Sequence, residues 1–165
     1  MQSSRFDYLK LLGLVLLGAY FFYCLITPET WHFINWVNLV IHEAGHTILI
    51  FFGQYLRILG GSLFQILIPA IFAYYFFRQQ EIFSASVVLF WLAQSLTNVS
   101  VYAGDAIKMQ LELLGGEAVI HDWNYLLSQV GLIQYTSMVS GIFYFAGLAI
   151  FFFAFALALK SVRKP

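Results

Sequence analysis

Long apolar runs constrain this chain before anything else does. From Phe143 to Leu159, "FYFAGLAIFFFAFALAL", no charged residue occurs until Lys160. Five stretches approach the roughly 20 mostly apolar residues that a helix needs to cross a hydrocarbon layer. They run from about Leu9 to Ile26, Trp31 to Phe52, Ser62 to Phe77, Ile82 to Tyr102 and Ser137 to Leu159. Residues this apolar can bury their backbone polar groups in lipid only by pairing them within a helix or a closed barrel. With 10% charged residues, against about 25% in ordinary soluble domains, the chain reads as an all-α, polytopic transmembrane bundle forming one domain over 1–165.

The boundaries follow from local chemistry. Arg5 and Lys10 precede the first run, which stops before Pro28. Because that run exceeds the 7–15 residues usual for a signal-peptide core and no A-x-A-like site follows, it is expected to stay as an anchor helix over about 9–26. Cys24, the only cysteine, lies within it and is expected to pack as a small hydrophobe. Pro69 sits in the third run, and Gly60–Gly61 before it read equally well as a turn. The polar connection from Gly104 to Ile133 predicts an amphipathic piece over Ala106–Leu114 ended by Gly115–Gly116. A short helix through Val130, capped by Asp122 or Asn124, follows it. The C-terminal helix is expected over about 137–159, where Ser137 and Gly141 would permit close packing within the bundle or in a homodimer.

Charge excludes some partners and leaves orientation open. The net charge is zero, which gives nucleic acid nothing to bind, so lipid is the expected surrounding. With five crossings the basic residues divide evenly. Arg5, Lys10, Arg57 and Lys108 fall on one side, and Arg78, Lys160, Arg163 and Lys164 on the other. An even number of passes would bring the two basic ends together. A sixth, re-entrant pass, or a dip by Trp123–Ile133, would supply it.

Within the second run stands "IHEAGHTILI", the pattern His-Glu-x-x-His. Residues four apart share a helical face, so His42 and His46 can offer two nitrogens to one ion, while Glu43 is placed to act as general base. The composition makes about 0.003 such matches expected per chain by chance. Two histidines and a glutamate in an apolar run are costly to keep without a role. Asn35, Asn38, His42 and His46 form one polar stripe, which turns that face inward. A catalytic zinc site takes three protein ligands and leaves a position open. Gln94, Asn98, Tyr102 and Asp105 share a face of the fourth run, making Asp105 the leading third ligand, with Asp122 and His121 in "HDWN" as alternatives. Zinc is preferred on ligand type.

The His-Glu-x-x-His run, followed by Asn98 and Asp105 in "NVSVYAGDA", resembles the site-2 protease family of intramembrane zinc metalloproteases. The resemblance covers about 31–106 and implies a three-helix core from the second, third and fourth runs. It also implies Zn²⁺ on His42, His46 and Asp105, Glu43 as catalytic base, and a membrane-embedded or membrane-proximal protein substrate. By it Asn98 is the motif asparagine, and Gly61 and Gln65 lie in the stretch that lines the substrate path. The chain departs from the family in lacking the proline after Asn98 and the glycine after Asp105. The alternative from another class is a non-catalytic zinc-binding membrane protein that serves as scaffold or partner. Four histidines in all are too few for a membrane di-iron enzyme of the desaturase type.

Overall fold

A computed structural model describes residues 7–114 and 119–162. Gly115, Gly116, Arg5, Arg163 and Lys164 lie outside the described residues. Six α-helices form, α1 (Tyr8–Ile26), α2 (Phe33–Ile48), α3 (Gln54–Arg78), α4 (Ile82–Gly104), α5 (Asp122–Gln129) and α6 (Thr136–Val162), with no strand among the described residues. Four of them, α1, α3, α4 and α6, are long and apolar enough to cross a membrane. Their outward faces carry large apolar side chains such as Leu12, Leu16, Ile71, Phe145 and Phe152.

The helix of the histidine run, α2, is not among these four. The run around the histidines was predicted to span Trp31–Phe52, but α2 has 16 residues. That length is about 24 Å, short of the ~30 Å hydrocarbon thickness. Its last turn tightens into a 3₁₀ turn at Ile50–Phe52, and Gly53 at φ +86° redirects the chain into α3. An even count of long helices agrees with the meeting of the two ends: the Asp7 N–H donates to the Val162 carbonyl at 2.9 Å.

The third run proves longer than its apolar part suggested. Helix α3 starts at Gln54, with Gly60, Gly61 and Pro69 all inside it. The glycine pair is therefore not a turn. It is the surface on which α2 lies, with Gly45 backed against the Gly60 backbone and Gly61 beneath the His42 imidazole. A Cβ at any of the three would overlap those atoms. Glycine serves here by having no side chain, which lets two helix backbones approach.

Helix α4 is the central element, buried along Ala85, Phe90, Ala93, Ser95 and Val99 and packed against α1, α3 and α6. Phe90 stacks on Phe21 of α1 and meets Phe151 of α6 at a tilt, at centroid distances of 6.1 and 5.0 Å. On α6 the close-packing small residue is Gly147, against the Ala93 carbonyl and Thr97, while Ser140 meets Gly104. Ser137 is exposed and Gly141 meets nothing within 4 Å, so that pair does not pack in the bundle. Cys24 is buried as expected.

Ala106–Leu114 forms turns and coil instead of an amphipathic helix. The chain then returns as α5, whose N-terminus is capped by neither predicted residue: the His121 ring accepts the Asn124 N–H at 3.3 Å. Trp123 Nε1 donates to Ser62 Oγ at 3.1 Å, and Asn124 Nδ2 to the Ala106 carbonyl at 2.9 Å. These bonds clip α5 to α3 and to the end of α4.

Packing of α2 on α3 therefore tolerates no added atom. Gly45→Ala and Gly60→Ala are each expected to cost at least about 1–3 kcal/mol of stability through forced backbone shifts. Gly141→Ala should leave the melting temperature in detergent unchanged or slightly raised. Equal melting of all three variants would contradict the packing described.

Candidate metal centre

Four polar layers, the first three buried, lead along α2 to one end of the bundle. Gln94 bridges two asparagines, donating to Asn35 Oδ1 and accepting from Asn38 Nδ2, both at 2.7 Å. Trp91 Nε1 and Ser95 Oγ donate to Asn38 Oδ1 at 2.8 and 3.2 Å. The asparagines thus hold α2 against α4. One turn on, Gln65 Nε2 donates to Asn98 Oδ1 at 2.7 Å, which turns Gln65 Oε1 toward His42 Nδ1 at 3.3 Å. One further turn on, His46 Nδ1 lies 2.8 Å from the Arg57 carbonyl oxygen.

These contacts assign a proton to Nδ1 of each histidine. A carbonyl oxygen only accepts, so His46 Nδ1 donates to Arg57, and with the Gln65 amide oxygen turned toward it His42 Nδ1 likewise donates. In each neutral ring the Nε2 lone pair is then free. Both Nε2 atoms face the same carboxylate oxygen, Asp122 Oδ2, at 2.9 Å from His42 and 3.2 Å from His46. His42 and Asp122 are buried and His46 is partly so.

Two lone pairs and an anionic oxygen in contact need a positive charge among them. The positions suit a divalent ion. Tetrahedral coordination at 2.0–2.2 Å separates ligand atoms by about 3.3–3.6 Å, so the group has to open by a few tenths of an ångström. All three ligand atoms already lie within 4.8 Å of one another. His42, His46 and Asp122 form a group that can hold a metal ion. Outer partners of the Gln65 and Arg57 kind fix ring tautomer and raise ligand basicity in metal sites.

The leading aspartate of the sequence reading stands elsewhere. Asp105 caps α4 and accepts the N–H groups of Gln110 and Leu111 at 2.9 Å and the Nε2–H of His121 at 3.3 Å. Its oxygens are committed to folding the α4–α5 connection. His121, the other alternative, has both nitrogens occupied, Nδ1 at the α5 cap and Nε2 on Asp105. The acid brought to the histidines is the remaining alternative, Asp122. It lies 80 positions from His42, and only the return of α5 delivers it. Asn98, Gln65 and Gly61 all sit behind His42, as support for the ring and not as lining alone.

Two cavities meet at this group. One of about 460 Å³ is lined by His42, Glu43, His46, Arg57, Tyr102 and Asp122 among others. The second, of about 520 Å³, extends past Asn35, Trp31 and Glu29 and shares His42, Glu43, Tyr102, Leu113 and Leu114 with the first. Glu43 is exposed to both. Tyr102 was grouped by spacing with Asp105 but belongs to this wall. The Arg57 carbonyl had no signal in the sequence, since any residue carries one. Comparison with protein-family models, curated proteins and solved structures finds no match for the chain.

Metal binding by this group makes a sharp forecast for three variants. His46→Ala and Asp122→Ala should lose stoichiometric metal in elemental analysis of the detergent-purified protein, whereas Asp105→Asn should retain it. Retention in Asp122→Ala with loss in Asp105→Asn would reverse the ligand assignment.

Proposed function

We propose that the protein is a multi-pass integral membrane zinc metallopeptidase that hydrolyses peptide bonds in or near the bilayer, with His42, His46 and Asp122 as zinc ligands and Glu43 as general base. The single observation that carries this reading is the convergence of two tautomer-locked Nε2 atoms and one carboxylate beside a solvent-open glutamate. Zinc is the ion that best suits two imidazoles and a carboxylate. When bound there it supplies Lewis-acid activation of water and of a carbonyl oxygen.

The chain's own residues supply the rest. Glu43 accepts a proton from the attacking water as its oxygen bonds to the carbonyl carbon. The same carboxyl then gives that proton to the amide nitrogen as the C–N bond breaks, and the remaining proton of the former water passes by way of Glu43 to the amine, leaving a carboxylate and an ammonium group. Leu113, Leu114 and Tyr102 offer apolar walls to a peptide entering from either cavity. A membrane-spanning substrate has its carbonyls engaged in its own helix, so it has to be unwound locally to present one. The adjoining cavities give room for such an extended segment, and the four long apolar helices support a setting among lipids.

Glu43→Gln is the test. It should keep its zinc and its melting temperature while losing about 10²–10⁴-fold in peptidase rate, read on the best-cleaved member of a fluorogenic octapeptide set. A zinc-loaded parent that cleaves nothing, or a Glu43→Gln variant as active as the parent, sinks the peptidase reading. The first of those results would favour a non-catalytic zinc-binding role.

A further inference from the structure

One side chain at the junction of the cavities carries a hydroxyl that the scheme above does not use. Tyr102 lies on α4, half-buried, and lines both cavities alongside Glu43. Its ring is held between His42 and His121, at centroid distances of 5.8 and 4.6 Å. Its hydroxyl oxygen accepts the backbone N–H of Asp122 at 3.1 Å. The phenol is therefore fixed in place through Asp122, the residue whose carboxylate faces both histidines.

A phenol has one proton to donate. With its oxygen engaged by Asp122 N–H, and no acceptor for its proton among the described residues, the Tyr102 O–H is left for whatever enters the cavity. We infer that Tyr102 is a catalytic residue of this site, a hydrogen-bond donor to the carbonyl oxygen of the scissile amide as that oxygen gains negative charge. The inference rests on the peptidase reading. As water oxygen bonds to the carbonyl carbon, the carbonyl π pair moves onto oxygen, and Tyr102 donates to it without losing its proton. The pair returns to the C=O bond as the C–N bond breaks and Glu43 protonates the nitrogen. A donor positioned before the reaction favours the charged oxygen over the neutral carbonyl, so the benefit falls on kcat.

Tyr102→Phe tests this on the zinc-loaded full-length protein. The variant keeps both ring contacts, so zinc content and melting temperature are expected to stay near those of the parent. Its kcat should fall about 10²–10³-fold with KM within threefold. A second measurement needs no turnover: a phosphinic octapeptide, whose tetrahedral P–O⁻ imitates the charged oxygen, should bind at least tenfold more weakly to Tyr102→Phe, while the plain octapeptide binds equally to both. Loss of zinc together with activity would show that Tyr102 only holds Asp122, and would overturn the inference. So would an unchanged kcat or unchanged phosphinic affinity, or a parent that does not bind the phosphinic peptide. If the parent cleaves nothing yet the phosphinic peptide still depends on Tyr102, the peptidase reading fails alone and the donor stands.

Discussion

The approach of α2 to α3 across Gly45, Gly60 and Gly61 is the contact on which the rest of the site depends. With no Cβ between them, the two helices come close enough for Gln65 to reach His42 and for the Arg57 carbonyl to reach His46. Those two acceptors set both imidazoles with Nε2 outward. A methyl group at Gly45 or Gly60 would push the two backbones apart and take the rings off their acceptors, and one at Gly61 would meet the His42 ring itself. Helix packing and ligand chemistry are here one feature. The glycine inside the His-Glu-x-x-His pattern is an interface residue, not filler.

A second dependence runs through the return of the chain after α4. Asp105 gathers the N–H groups of Gln110 and Leu111 and the ring of His121, and His121 caps α5. Trp123 then anchors α5 on Ser62. Asp122 is delivered between these two fixed neighbours. Adjacent acid and imidazole pairs thus divide the labour: one folds the connection, the other faces the cavity. The division is electrostatic. Asp105 has its charge met by backbone donors, while Asp122 has only the two Nε2 atoms on its Oδ2 oxygen.

Burial explains why so polar an array persists in so apolar a chain. An unpaired amide or imidazole in this environment would cost on the order of several kcal/mol, and among the described residues no buried side-chain nitrogen or oxygen lacks a partner. The asparagine–glutamine layers below the histidines form a chain of satisfied donors and acceptors linking α2, α3 and α4. Such a network holds one register between helices that are otherwise greasy and free to slide. It also keeps the 16-residue α2 attached to the longer helices.

The helical class, the positions of α1, α4 and α6, the inward stripe Asn35–Asn38–His42–His46 and the pairing of the histidines were legible in the sequence. All of these are local: apolar run length and a four-residue spacing need no knowledge of what lies opposite. The short reach of α2, the continuation of α3 through Gly60–Gly61 and the choice of Asp122 over Asp105 were decided only by tertiary structure. Helix length at α2 depends on where Gly53 turns the chain and on what α3 presents. The third acid depends on a return over 80 positions, whereas spacing on α4 could speak only for the face that Asp105 shares with Tyr102. A carboxylate's partners are set by what folds around it, and a sequence that supplies two Asp–His pairs of like chemistry does not say which pair the fold turns toward the open cavity.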